Sequence, residues 1–352
     1  MNTVSKIKIQ EIFYSLFLPV SAVSVAFLIG GLILLLSGKN PISIYLTLFQ
    51  YSIGTRSGFF DSLLLSTPLI FTGLATAISF RAGIWNIGIE GSLYIGAFAS
   101  AWVAFTFIHL PGPLLIFLSF LLGGIAGGLW GLFPGFLRAF YKVDEVVSTI
   151  MLNYVAILFT SYLVNYPFAV PGLANAMSKS IAKQAFLKRL APPSQFNISY
   201  IIALFIVIII TFTYYRTTFG YETKLVGLNP IFARWSGIST SNVIVKAFFV
   251  SGILGGIAGS AQVLGVNYRF IANFSPGYGF DGLAIALLSR LHPIGIFASA
   301  TLFGMIRSSI PQLEIFEDVP KNILGILEAS IMLFATATVI IEWAKRRKHA
   351  IR

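Results

Sequence analysis

Long apolar runs separated by short polar segments make up most of this chain. Each run is close to the roughly 20 residues that an α-helix needs to cross the hydrocarbon core of a bilayer. The third and eighth runs contain polar residues and several glycines, so we expect broken helices there. A bundle of eight spans is the main alternative. The pattern predicts an all-α polytopic transmembrane bundle of about ten spans, at residues 14–36, 61–80, 85–107, 114–134, 146–165, 198–215, 243–264, 274–290, 294–310 and 322–343.

Two hydrophilic segments interrupt the apolar pattern. We predict that residues 166–197 form an extracytoplasmic loop and that residues 216–242 form a basic cytoplasmic segment. Basic residues concentrate on the cytoplasmic side of membrane proteins, so an even number of spans would place both termini there. The whole chain, residues 1–352, is expected to be one transmembrane domain. Five basic residues near its end fit this orientation: Lys345, Arg346, Arg347, Lys348 and Arg352.

Composition narrows the class of protein. The chain is 57% hydrophobic and only 10% charged, whereas soluble domains average about 25% charged residues. The net charge of +12 follows the ends of apolar runs, which is typical of membrane topology rather than of nucleic-acid binding. The chain has no cysteine, which excludes disulfides and thiolate metal sites. Its three histidines are far apart and lack the spacing of a catalytic metal site.

The 32 glycines include a repeated pentapeptide, Gly-Gly-Ile-Ala-Gly, at residues 123–127 and 255–259. Small residues at helical spacing allow membrane helices to approach closely. A phosphate-binding loop would instead need Gly-x-x-x-x-Gly-Lys-Ser/Thr, which the sequence does not contain. We therefore interpret the repeat as a helix-packing element.

Three acidic residues fall within predicted spans and away from the span ends: Glu90, Asp281 and Glu328. Ionisable groups are costly inside a membrane, so each is a candidate functional residue. Asn86 and Glu90 are four residues apart, so in a helix they would share one face. If spans 2–5 and 7–10 are inverted repeats, the glycine-rich segments around Glu90 and Asp281 would meet near the midplane. Glu328 is alone in its span, which favours a structural role.

Two roles remain open for the polar residues of the third and eighth spans. Asn86, Glu90 and Asp281 can line a substrate pathway. Alternatively, they can cap half-helices or pair with basic residues such as Arg290 or Arg307.

Aromatic residues accompany these polar segments, and they also have two interpretations. Trp85, Tyr278 and Phe280 could stack on an aromatic substrate or simply contribute to packing.

Within the cytoplasmic segment, the sequence predicts a short helix with defined ends. Asn229 is a good N-cap, Pro230 suits the first helical position, and Gly237 can end the helix in a left-handed conformation. Arg234 would point away from an apolar stripe of residues at i, i+4 and i+7: Ile231, Trp235 and Ile238. Such a helix could lie on the membrane or dock on a partner.

Four patches of sequence, in order, resemble one family. Residues 80–91 read Phe-Arg-Ala-Gly-Ile-Trp-Asn-Ile-Gly-Ile-Glu-Gly, and residues 143–153 read Val-Asp-Glu-Val-Val-Ser-Thr-Ile-Met-Leu-Asn. Residues 227–238 and 279–295 supply the other two. Together they resemble the permease subunits of bacterial ABC importers for branched-chain amino acids, ribose and nucleosides, with the nucleoside permeases the most similar. Asp144 and Phe232 depart from the family pattern, which usually has Asn and Ala there.

The resemblance implies a function and partners. The chain would be a permease of a bacterial cytoplasmic membrane that translocates nucleosides or simple sugars by alternating access. It would need no cofactor of its own, because a separate cytoplasmic ATPase binds ATP. A second, related permease chain and an extracytoplasmic binding protein would complete the importer.

The resemblance also implies roles for individual residues. The third and eighth spans would carry the pathway residues, Trp85, Asn86, Glu90, Phe280 and Asp281. The coupling helix that docks on the ATPase would include Gly227, Asn229, Pro230, Ala233, Arg234 and Gly237.

Two other classes of function are alternatives to an ABC-importer permease. An ion-gradient-driven secondary transporter could use Glu90, Asp281 and Glu328 as ion carriers. A membrane-embedded enzyme would need a metal cluster, a nucleophile with its base, or a phosphate loop, and the sequence offers none of these patterns.

Overall fold

The computed structural model of the protein describes residues 21, 23–172, 175–317, 319–320, 325–326, 329–330 and 333. The start of the first predicted span and most of the tenth lie outside the described residues. Glu328 and the basic residues near the end of the chain lie outside them as well.

The described residues form helices joined by turns and loops, with two isolated β-bridges and no sheet. The predicted all-α fold is therefore confirmed. The helices are α1 (Val23–Leu36), α2 (Pro41–Ser52), α3 (Arg56–Arg81), α4 (Ile89–Thr106), α5 (Gly112–Tyr141), α6 (Glu145–Asn165), α7 (Ser199–Arg216), α8 (Thr218–Leu228), α9 (Pro230–Trp235), α10 (Thr240–Gln262), α11 (Tyr278–Leu288) and α12 (Pro293–Phe316).

Within the described part of the chain, six helices are long and apolar enough to cross a membrane: α3, α5, α6, α7, α10 with its π-helical extension, and α12. Helix α11 has 11 residues and is only about 16 Å long, roughly half the thickness of the hydrocarbon core. Helix α4 begins only after a non-helical segment, residues 82–88. Within the described part of the chain, the third and eighth predicted spans are thus not among the six crossings, which agrees with the broken helices predicted there.

Several predicted boundaries are wrong. Helix α5 continues past the predicted end at residue 134 because Pro134 is accommodated within it, and it stops at Lys142, whose φ of 57° is left-handed. Transmembrane helices tolerate proline where neighbouring groups satisfy the freed carbonyl. Helix α12 likewise extends beyond residue 310 and includes Pro311. Helices α2 and α8 were not predicted, because they are short and carry no long apolar run.

The two Gly-Gly-Ile-Ala-Gly copies lie in α5 and α10, and these helices pack against each other. A Cβ atom added to Gly127 would overlap the backbone of Gly252 and Gly256. A Cβ atom on Gly96 in α4 would overlap the backbone of Gly256 and Gly123. Three helices therefore approach to backbone contact at these positions, and the helix-packing interpretation of the repeat is confirmed.

The predicted extracytoplasmic loop is closely packed against the residues between α10 and α11. Its backbone amides at Ser178, Ile181 and Leu187 donate hydrogen bonds to the carbonyl oxygens of Phe270, Tyr268 and Leu264, at 2.9, 3.0 and 3.0 Å. All three donor residues are buried. The loop thus holds in place the segment that leads into α11.

The glycine contact can be tested with a matched pair of substitutions. We expect Gly127→Ala to destabilise the protein by about 1–3 kcal/mol, because the new methyl group meets backbone that cannot turn aside. Gly124→Ala is the control, since its Cβ atom would lie 3.4 Å from the Ile257 side chain, an ordinary contact. Thermal unfolding in detergent measures both, and equal melting temperatures for the two variants would contradict the packing account.

Candidate functional site

The first turns of α4 and α11 meet inside the bundle. Glu90 lies in the first turn of α4 and is only 2% exposed. Its Oε2 accepts a hydrogen bond of 2.6 Å from the backbone amide of Gly279, in the first turn of α11. A side chain at position 279 would overlap the Glu90 backbone, so glycine is required for this approach. The two glycine-rich segments that the sequence singled out are therefore in contact.

Asp281 forms a buried ion pair with Arg307 of α12. The Asp281 Oδ2 and Arg307 Nη2 atoms are 2.6 Å apart, and both side chains are largely buried. The Arg307 guanidinium also lies 5.6 Å from the centre of the Tyr278 ring. Of the two roles left open for Asp281, the structure shows the pairing with Arg307. Arg290 lies elsewhere, in the turn after α11.

The non-helical segment before α4 obtains its hydrogen bonds from two asparagines. Asn86 accepts from the Gly88 amide at 2.9 Å and donates to Ser251 Oγ at 3.0 Å. Asn153 in α6 accepts from the Gly91 amide at 2.8 Å and donates to the Ile87 carbonyl at 2.9 Å. Side chains thus replace the missing helical bonds of this segment.

The predicted shared helical face of Asn86 and Glu90 is wrong. Helix α4 begins at Ile89, with Gly88 as its N-cap residue, so Asn86 precedes the helix. The Asn86 side chain folds back on the Gly88 amide instead, a local bond that competes with helix formation.

The two candidate pathway aromatics are both partly exposed. Trp85 is 49% exposed, and its ring centre lies 4.7 Å from that of Phe80. Phe280 is 41% exposed, beside the buried Asp281. Tyr278, by contrast, is buried under Arg307. Trp85 and Phe280 therefore expose ring surface, whereas Tyr278 is used for packing.

Helix α9 has the predicted ends. The Asn229 side chain accepts hydrogen bonds from the amides of Ile231 and Phe232, at 3.1 and 3.0 Å, and Pro230 is the first helical residue. Gly237 has a φ of 82° and follows the helix in a left-handed conformation. The predicted cap, first residue and stop are confirmed.

Helix α9 buries one side and exposes apolar residues on the other. Ala233 is fully buried and packs with Val226 and Val243, and Ile238 is half-buried against this small cluster. Ile231 and Trp235 are 70% and 88% exposed. The predicted stripe is therefore split: Ile238 packs inwards, whereas Ile231 and Trp235 face outwards. Arg234 is also exposed.

Backbone contact joins the end of α8, just before α9, to the residues that lead from α3 into α4. Gly227, near the end of α8, lies so close to Arg81 that a Cβ atom would overlap the Arg81 carbonyl. Gly83, with a φ of 76°, lies against the Gly227 backbone. Arg81 is the last residue of α3, and Gly83 belongs to the non-helical segment that contains Asn86. The end of α8 thus contacts the non-helical segment that carries Asn86.

Comparison with known proteins identifies the family. Residues 58–336 match the family described as the permease component of branched-chain amino acid transport systems. The chain belongs to this family. The permease is 33% identical over 343 residues to the nucleoside ABC transporter permease protein NupB of Lactococcus lactis subsp. cremoris, a match that covers 95% of this chain and 94% of that protein.

Two further relatives match over most of their length. The guanosine ABC transporter permease protein NupP of Bacillus subtilis is 32% identical over 336 residues, which cover 93% of this chain and 95% of that protein. The glucose ABC transporter permease protein TsgB13 of Haloferax volcanii is 31% identical over 327 residues, which cover 90% of this chain and 86% of that protein. The permease is therefore a multi-pass membrane protein and a transport subunit of an ABC importer.

Sequence reasoning missed two residues that build this permease's polar cluster. Asn153 ends one of the four family-like patches but was not singled out, because its partners are more than 60 residues away. Thr149, one turn earlier, accepts a hydrogen bond of 3.3 Å from the Ile87 amide. The signal was a polar pair four residues apart on one face of an otherwise apolar span.

The buried ion pair of the permease can be tested by removing each partner. We expect Arg307→Leu to destabilise the protein by about 3–5 kcal/mol, because Asp281 is left as a buried charge without its cation. Adding Asp281→Asn should restore part of that loss. Melting temperatures of the single and double variants measure the effect, and an Arg307→Leu variant as stable as the original protein would refute the pairing.

Proposed function

We propose that this permease carries nucleosides into the cell as part of an ABC importer. The observation that supports this substrate class most strongly is its similarity, over more than nine-tenths of the chain, to permeases named for nucleosides and guanosine. The relative named for glucose makes a simple sugar the second candidate substrate.

In this proposal, α9 is the coupling helix that docks on a cytoplasmic ATPase. Exposed aromatic and aliphatic side chains in contact with polar ones are typical of protein interfaces. Ile231 and Trp235 supply the exposed apolar surface, and Arg234 supplies a cation beside it. Gly227, Asn229, Pro230, Ala233 and Gly237 give the segment its fixed shape. The ATPase binds the ATP, and the permease needs no cofactor of its own.

Movement of α9 would reach the substrate pathway through backbone. Helix α8 connects directly to α9 at Asn229, and Gly227 lies against Arg81 and Gly83. A shift of this segment would therefore act on the residues that lead to Asn86 and Glu90. We propose that Trp85, Asn86, Glu90, Phe280 and Asp281 line or shape the pathway, with the two acids also holding α4 and α11 in place.

The remaining architecture follows the same proposal. The permease would have ten spans with both termini in the cytoplasm, and spans 2–5 and 7–10 would be inverted repeats. The contact between the first turns of α4 and α11 supports this arrangement, since broken helices of inverted repeats meet in this way. A second, related permease chain and an extracytoplasmic binding protein would complete the importer.

The contacts of two of the three candidate ion carriers do not favour an ion-gradient mechanism. Glu90 is engaged by the Gly279 amide and Asp281 by Arg307. The family assignment and the exposed α9 favour an ATP-driven importer.

Uptake of labelled compounds tests the substrate class. We expect cells that lack this chain to lose uptake of radiolabelled nucleosides and to regain it when the chain is restored. Labelled glucose and ribose serve as the comparison. Unchanged nucleoside uptake in the deleted strain would refute the nucleoside assignment, and loss of sugar uptake alone would favour the sugar alternative.

Co-purification tests the docking role of α9. We expect Arg234→Glu to reduce recovery of the ATPase with the permease about tenfold, because a charge reversal next to Trp235 disfavours the interface. Lys246→Glu is the matched control, an exposed lysine of α10 outside α9. Equal recovery of the ATPase with both variants, at equal membrane levels, would count against docking at α9.

Transport by a Glu90→Gln variant tests the pathway role. Glutamine keeps an oxygen that can accept from the Gly279 amide, so the fold should persist, whereas the negative charge is lost. We expect transport per folded molecule to fall at least fivefold. Asp144→Asn is the control, because asparagine can also cap α6. Normal transport per molecule in Glu90→Gln would assign Glu90 a purely structural role.

A further inference from the structure

A cleft lined by basic residues lies where the end of α3, helix α8 and the turn between α11 and α12 come together. Its volume is about 430 Å³, within the range typical of small-molecule sites. Four of the lining residues carry basic groups: Arg81, Lys224, Arg290 and His292. Tyr215 and Phe80 provide aromatic wall, and none of the described lining residues is acidic.

Two aromatic rings lie against the guanidinium of Arg81. The Arg81 Cζ atom lies 4.1 Å from the centre of the Tyr214 ring and 5.7 Å from that of Tyr215. Its Nε is buried and makes no hydrogen bond to the described part of the chain. A buried donor without an acceptor is unfavourable. Because Arg81 also lines the cleft, an acceptor bound there would offer its guanidinium a partner.

The turn between α11 and α12 has an unusual backbone that places Arg290 and His292 on the cleft wall. Arg290 and Leu291 have φ angles of 54° and 61°, both left-handed although neither is glycine. Such conformations are strained and concentrate at binding sites.

The surroundings of His292 are electrostatically positive. His292 is the N-cap residue of α12, a helix without an acidic residue in its first turn, so the positive end of the helix dipole lies beside the cleft. Burial and the nearby charge of Arg81 lower the pKa of His292. An anion in the cleft would offset this positive potential.

We propose that this cleft binds a phosphate-type oxyanion. Arginine and lysine together recognise phosphate oxygens through charge-assisted hydrogen bonds. The volume of the cleft exceeds that of a bare phosphate and leaves room for an ester group beside the rings of Tyr215 and Phe80. The oxyanion could belong to a phospholipid headgroup or to a soluble phosphate compound. In either case it would bridge α3, α8 and the start of α12 next to Gly227.

The test measures the melting temperature of the full-length chain purified in a neutral detergent. One arm titrates inorganic phosphate, and the other titrates short-chain phosphatidylglycerol, with phosphatidylcholine as the reference lipid. We expect saturable stabilisation in at least one arm. Stabilisation by phosphate indicates a soluble ligand, whereas stabilisation by phosphatidylglycerol alone indicates a lipid headgroup.

Substitutions in the cleft test whether the stabilisation arises from binding there. We expect Lys224→Gln with Arg290→Gln to weaken the apparent affinity at least tenfold, and Lys246→Gln, an exposed lysine outside the cleft, to leave it unchanged. If the double variant does not fold, the exposed Lys224→Gln alone serves, with a smaller expected loss. No stabilisation in either arm, or equal affinity in the cleft variants and the original protein, would overturn the proposal.

Discussion

Backbone amides and carbonyls that leave a helix inside an apolar bundle must find partners within the protein, because no water is there to satisfy them. This constraint organises the centre of the permease. The non-helical residues before α4 are satisfied by Asn86 and Asn153. At the start of α11, Ser275 accepts from the Tyr278 amide and Glu90 accepts from the Gly279 amide. Asn86 and Glu90 thus lie where the helices are interrupted, and the polar side chains of α6 face that interruption.

Local chemistry determined which features could be predicted from the sequence. The ends of α9 depend on Asn229, Pro230 and Gly237, which act within a few residues, and they were predicted correctly. The interruption near Glu90 was also predictable, because glycines and a carboxylate share a short segment. The ends of α5 and α12 were not, since whether a proline ends a helix depends on its neighbours in the fold.

Long-range partners could not be predicted from the sequence. Glu90 and Gly279 are 189 residues apart, and Asn86 and Ser251 are 165 apart. The sequence marked Asp281 as a costly charge but could not choose between Arg290 and Arg307, because both are basic residues near the same span. The geometry of α12 places Arg307 against Asp281 and leaves Arg290 in the turn at the basic cleft.

The glycine contacts among α4, α5 and α10 also limit how the permease can move. Gly96, Gly123 and Gly256 bring three backbones together with no side chain between them. Sliding one helix past another would force larger side chains into these crossings, so the three helices should move as a single rigid body. In the proposed transport cycle, the hinges would then lie in connections outside this rigid body.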